Sequence, residues 1–185
     1  MMMDVLTAIA GRASAAKLAA PAPGPDALDQ ILRAGARAPD HGRLAPWRFV
    51  VLEDGGRQVL ADAMARAKLN AVPDSTDFEL DAERSKAMRA PMIVAVAARI
   101  TPGHKVPEIE QILAVGAAVQ NMILAARALG FGTMWKTGNA AYDPIVKQAL
   151  GLDPEDRIVA FLYLGTAVTE GRVRDAVLDG LVSRP

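Results

Sequence analysis

From Glu108 to Leu129 the chain repeats apolar residues on almost every side of a helix: Ile109, Ile112, Leu113, Val115, Val119, Met122, Ile123, Leu124 and Leu129. Pro107 opens this stretch and Gly130-Phe131-Gly132 closes it. A helix that is apolar all round must be covered all round. In a chain of 185 residues a second subunit is an economical cover. Gly116, Ala117 and Ala118 would let another helix approach closely. Gln120 and Asn121 interrupt the apolar run, which falls short of a membrane span. The expectation is a dimer built on a central helix.

The rest of the composition narrows the classes. Half the residues are apolar (51%), and a chain this long buries roughly 70% of its unfolded surface, so one domain over residues 1–185 needs no metal or disulfide support. There is no cysteine, which removes thiol chemistry and cysteine-ligated zinc. Lysine plus arginine (21) equals aspartate plus glutamate (21), which argues against a nucleic-acid binder. The apolar patch Val5–Ala10 has Asp4 where a signal peptide would carry a cation. The expectation is a cytoplasmic protein with no nucleic-acid or membrane partner.

In chain order, a short helix from Asp4 to Ala10 ends at Gly11, followed by Arg12, Ser14 and Lys17, two cations and a hydroxyl suited to phosphate. A proline-rich connector (Ala19–Pro25) leads to a helix reaching about Ala36. The loop Arg37–Pro46 carries Arg37 ahead of Pro39, and His41 and Arg43 between Pro39 and Pro46, the usual composition of a binding loop. Strands are expected at Trp47–Glu53, Pro91–Ala98, Thr133–Thr137 and Arg157–Gly165, with helices at Arg57–Leu69 and from Asp143-Pro144 to Leu150. Residues 71–89 turn polar, as a loop and an exposed helix that would make a mobile cover. The loop before the long helix holds His104 and Lys105. The tail after Thr166 has no partner of its own.

Four strands separated by helices make a layered α/β reading. No dinucleotide fingerprint, phosphate loop, zinc-protease or serine-hydrolase motif is present. Two histidines sixty-three positions apart, with no carboxylate cluster, exclude an evident metal site. Catalysis then belongs to a bound organic cofactor rather than to a catalytic side chain. The junctional residues are mainly cationic (Arg12, Lys17, Arg37, His41, Arg43, Lys105, Lys136), which suits an anionic ligand. Flavin mononucleotide, with its phosphate and a ring that turns anionic on reduction, is one such ligand among several phosphorylated ones.

Five segments together resemble the nitroreductase family, most closely its small YdjA-type branch: G-R-A-S-A-A-K-L from Gly11, R-A-P-D-H followed by P-W-R-F-V-V, H-K-V-P, G-F-G-T-M-W-K-T-G, and F-L-Y-L-G-T. They lie in order from about residue 4 to residue 167. The resemblance implies an α+β fold, a three-layer α/β/α sandwich around a four-stranded, mainly antiparallel sheet. It implies a homodimer with FMN at the subunit interface, and ping-pong hydride transfer from NAD(P)H through FMN to a small nitroaromatic or quinone-like acceptor. Arg12, Ala13 and Ser14 match the segment that holds phosphate and ribityl chain. Arg37 and His41 match contacts supplied by the partner subunit, and Trp135, Lys136 and Thr137 match a flavin-contacting strand end. Ala125, Ala126, Arg127, Ala128, Leu129 and Gly130 match a stretch associated with the nicotinamide nucleotide.

The chain also departs from that pattern. Ala13 stands where a second basic residue is common, Lys136 replaces an arginine and loses its bidentate fork, and Ala45 stands where many members have glutamine. A non-redox or flavin-consuming protein on the same scaffold is the alternative.

Overall fold

The computed structural model describes residues 3–169 and 171–183. Asp4 caps the first helix, α1 (Val5–Ala10), by accepting from the Leu6 and Thr7 amides. Gly11 ends it with a negative φ of −89°, so backbone freedom is not why glycine stands there. A Cβ at that position would lie 2.3 Å from Nη2 of Arg127. Gly11 makes room for a guanidinium.

Strand β1 (Lys17–Ala19) follows, then α2 (Pro25–Gly35), with proline in the first turn as expected. Next come β2 (Trp47–Glu53), α3 (Gly55–Ala71), α4 (Asp77–Ala87) and β3 (Met92–Ala98). The chain continues through α5 (Glu108–Ala128), β4 (Gly132–Lys136), α6 (Pro144–Ala149) and β5 (Arg157–Thr169).

The sheet has five strands, not the four expected, and every pairing is antiparallel. The missed strand is β1. Three residues are too few to show alternation, and in the sequence Lys17 reads as a phosphate ligand. It pairs with Thr166–Thr169, which also lengthens β5 beyond Gly165. The central strand β5 has β3, β4 and β1 as partners, and β3 carries β2 on its far edge.

Alternation along β3 separates two cores. Met92, Val94, Val96 and Ala98 face α2 and α5, joining Ile31, Val115, Met122 and Leu162; Ile93, Ala95 and Ala97 face α3 and α6, joining Leu60, Met64, Val146 and Phe161. All seven β3 residues are buried. Each large aliphatic among them contributes about 1.5–3 kcal/mol by leaving water. The result is the α/β/α sandwich.

Residues 71–89 form the expected loop and largely exposed helix: Thr76 and Glu79 make a reciprocal capping box, and α4 packs on α3 through Leu80 and Ala87. By length (21 residues) and hydropathy (1.4) α5 could cross a membrane. Here Val115, Val119 and Met122 lie fully buried against the sheet, and Ile109 and Leu113 remain exposed.

Candidate functional site

The loop between α2 and β2 is shaped by its backbone. Gly42 (φ 78°), Arg43 (φ 56°) and Ala45 (φ 48°) are all left-handed, and the two non-glycine residues carry strain of order 1 kcal/mol or more each. Asp40 holds the bend by accepting the Ala45 amide at 2.6 Å. Arg37, His41 and Arg43 project from it exposed, and His41 Nδ1 hydrogen-bonds Oε2 of Glu110 in the first turn of α5. The loop before α5 lies alongside: a Cβ on Gly42 would touch Val106 and His104. His104 is occupied, its Nδ1 accepting the Val106 amide at 3.1 Å. Among the described residues no histidine–carboxylate group could hold a metal ion.

A second centre opens where β4 ends. A cavity of about 570 Å³ is bounded by Trp135, Lys136, Thr137 and Gly138 on one side and by α3 and α4 on the other. Ala67, Ala71, Met64 and Val72 make an apolar wall. The indole of Trp135 is fixed by donating to the Val159 carbonyl at 3.0 Å. Four cations, Lys68, Lys86, Arg89 and Lys136, face two carboxylates, Glu83 and Asp143, a formal balance of 4 − 2 = +2. Glu83 pairs with Lys86 at 2.5 Å, and Asp143 caps α6. Lys68, Arg89 and Lys136 therefore have no ion pair among the described residues.

Tyr163 forms the back of this cavity and donates to the Lys86 carbonyl at 3.0 Å. Burial pushes its phenol pKa above the ordinary value, with Arg89 pulling the other way.

A smaller hollow of about 130 Å³ shares Arg89, Lys136 and Tyr163 and reaches Ala15 and Ala16. A third, of about 290 Å³, shares Ala15 and holds Arg12, Ala13, Arg127 and Gly130. The three adjoin as a track from the end of β4 to the end of α1. The Arg12–Ser14 segment is anchored there by the Ala15 amide donating to Thr133 on β4 at 2.9 Å. The tail crosses over it: a Cβ on Gly171 would stand 2.0 Å from the Ser14 carbonyl oxygen. Only glycine permits that crossing.

The structure thus gathers members of three of the four predicted groups in one chain, while Ser14 lines none of the three hollows. Trp135, Lys136 and Thr137 line one end of the track and Arg12 and Ala13 the other. Arg37 and His41 line none of the three hollows. Of the 125–130 segment, Arg127 and Gly130 line the third hollow, while Ala126 is fully buried and Ala125, Ala128 and Leu129 stay outside it. Sequence reading missed Lys68, Lys86, Arg89 and Tyr163. Their signal was hidden because the packing of α4 on α3 brings Lys68, Lys86 and Arg89 to the end of β4, and the β4–β5 ladder sets Tyr163 opposite Met134.

The Nitroreductase family pattern matches residues 9–166. The "Putative NAD(P)H nitroreductase YdjA" of Escherichia coli (strain K12) is 43% identical over 164 residues, 89% of this chain and 88% of that protein. The crystal structure of "a putative nitroreductase in complex with fmn" from Desulfovibrio desulfuricans superimposes with a TM-score of 0.77 at 27% identity, covering 100% of this chain and 99% of that one. A nitroreductase-like protein from Bacillus cereus reaches a TM-score of 0.86 at 23% identity, covering 100% and 97%, and shares the fold. With the match spanning both the Arg12 segment and the end of β4, the chain belongs to the nitroreductase family.

Proposed function

We propose that the chain is an FMN-dependent oxidoreductase that takes hydride from NAD(P)H and passes it, in ping-pong fashion, to a small nitroaromatic or quinone-like acceptor. The observation that carries this reading is the cavity at the end of β4, with its apolar wall, its fixed indole and three cations that have no ion pair among the described residues. Its size lies within the range of about 300–1,000 Å³ usual for cofactor sites. FMN, when bound, supplies two-electron hydride chemistry that no side chain here offers. Lys136, with Lys68 and Arg89, supports negative charge on a bound ring by about a few kcal/mol. Arg12 and Ser14 take the phosphate and ribityl end of the track, and Trp135 and Thr137 bound the ring. Arg127 and Gly130 serve the nicotinamide donor.

Arg37 and His41 complete the site from a second copy of the chain. An exposed apolar stripe supports that assembly: Ile109 and Leu113 of α5 lie 58% and 63% exposed. Gly116 continues the stripe with no atom within 4 Å of a would-be Cβ, so a partner helix can approach closely. The packed α4 covers one side of the cavity.

The test is the absorption spectrum of protein prepared with excess FMN. Yellow colour that survives gel filtration and bleaches under NADH or NADPH without oxygen is the expected result. A colourless protein that takes up no FMN overturns the reading and favours a non-redox role.

A further inference from the structure

Glu110 and His41 are 69 positions apart and meet through one hydrogen bond, carboxylate Oε2 to imidazole Nδ1. Both ends of this contact are fixed independently. On the Glu110 side, the neighbouring Gln111 is buried; it accepts the Thr101 amide at 2.9 Å and donates to the Val106 carbonyl at 3.0 Å. That clamps the turn leading into α5. On the His41 side, the left-handed Gly42 and Arg43 and the Asp40–Ala45 bond set the loop. The first turn of a long helix is also where a carboxylate is electrostatically favoured.

An ionised carboxylate accepts hydrogen bonds and donates none. Its contact with Nδ1 therefore requires that Nδ1 carry the hydrogen. In the neutral ring Nε2, on the other side of the imidazole, is then a bare acceptor. The His41 side chain is 65% exposed, so that acceptor is available to another molecule. His104, close by, has the opposite arrangement, its Nδ1 accepting and its hydrogen on Nε2. Arg43 and Lys105 are exposed cations in the same loops; the Asp40 carboxylate is occupied by Ala45.

We propose that Glu110 is a positioning residue for the cofactor site: it holds His41 as the Nδ1–H tautomer and presents Nε2 as an acceptor for an N–H or O–H of the ligand bound across the dimer interface. This rests on the proposed function for the identity of the ligand. A flavin offers both groups, the imide N–H and the ribityl hydroxyls. His41 thereby has a different task from Arg37, whose guanidinium can only donate.

The test uses the full-length chain with ¹⁵N-labelled histidine, at a pH of about 9, well above the ordinary histidine pKa of about 6.5. The chain has two histidines, so the spectrum of His41→Gln assigns both. Wild type should show His41 with hydrogen on Nδ1. Glu110→Ala should move it toward the Nε2–H form; Glu110→Gln, whose amide oxygen can accept the same hydrogen, should retain Nδ1–H. His104 should not change in either. FMN affinity, read by flavin fluorescence, should fall about three- to tenfold in Glu110→Ala, the loss of one hydrogen bond, and be largely restored in Glu110→Gln. An unshifted His41 tautomer in Glu110→Ala overturns the role of Glu110 whatever the flavin does. A shifted tautomer with unchanged FMN affinity overturns it as well. Failure of the wild-type chain to bind FMN overturns the proposed function separately, because the tautomer needs no flavin to be read.

Discussion

The phenol of Tyr163, on the central strand, donates to the main-chain carbonyl of Lys86 at the last turn of α4. That bond ties the helix carrying Lys86 to the sheet and sets one side of the cationic cavity. Tyr163→Phe should cost about 1 kcal/mol at neutral pH. The pH dependence has a definite sign. Burial raises the phenol pKa above 10.0 in the folded chain, so the folded state holds its proton more firmly than the unfolded state. The contribution is complete below pH 10 and disappears as pH rises through the folded value. Urea unfolding of both proteins from pH 7 to pH 11 should show a gap that closes at the alkaline end.

Leu113 and Val119 lie on the same helix, yet a charge has different consequences at each. Leu113 is 63% exposed and Val119 is fully buried. Leu113→Asp should leave the chain folded and convert a dimer to a monomer in sedimentation velocity. Val119→Asp buries an unpaired charge in the core and should cost more than about 4 kcal/mol, with loss of the folded circular dichroism signal. A folded Leu113→Asp protein that sediments like wild type counts against the proposed interface.

The layers were legible because strand and helix periods differ and α5 is long. From sequence alone, however, α5 reads as uniformly apolar, and only the structure divides it into a buried face (Val115, Val119, Met122) and an outward stripe (Ile109, Leu113). Short β1 was illegible for the opposite reason. Three residues are held by the register with Thr166–Thr169 rather than by any pattern of their own.

The site was legible where its residues are contiguous. Arg12-Ala13 and Trp135–Thr137 each form one segment, and both line the track. Lys68, Lys86 and Arg89 are scattered along a helical hairpin whose charges read as solvated surface. Their role depends on α4 folding back over α3, a long-range contact that local composition does not report. Glu110 was hidden in the same way, as an ordinary first-turn carboxylate until the 37–46 loop meets it.

Lys136 ends β4 without an ion pair among the described residues, and its charge should matter to an anionic ligand more than to the fold. Lys136→Met should lower FMN affinity by tenfold or more, about 1.4 kcal/mol, while leaving the unfolding midpoint near that of wild type. Fluorescence titration at two salt concentrations checks this. The wild-type affinity should fall with salt and the variant's should fall less.

Arg12 lines a hollow of its own chain, whereas Arg37 lines none; in the proposed assembly Arg37 serves the partner's flavin. On a two-fold interface such a site is completed twice, Arg12 from one chain and Arg37 from the other. Arg12→Ala and Arg37→Ala homodimers should each hold FMN poorly, since every site lacks one cation. A mixed dimer differs, because one of its sites carries both lesions and the other carries neither. Random assembly from equal amounts makes about half of all dimers mixed, so roughly a quarter of all sites should be restored. Were both arginines to serve the same chain's flavin, every site would stay damaged. Flavin content of the co-expressed variants, measured per chain after gel filtration, should therefore exceed that of either variant alone; equal content rules out the shared site.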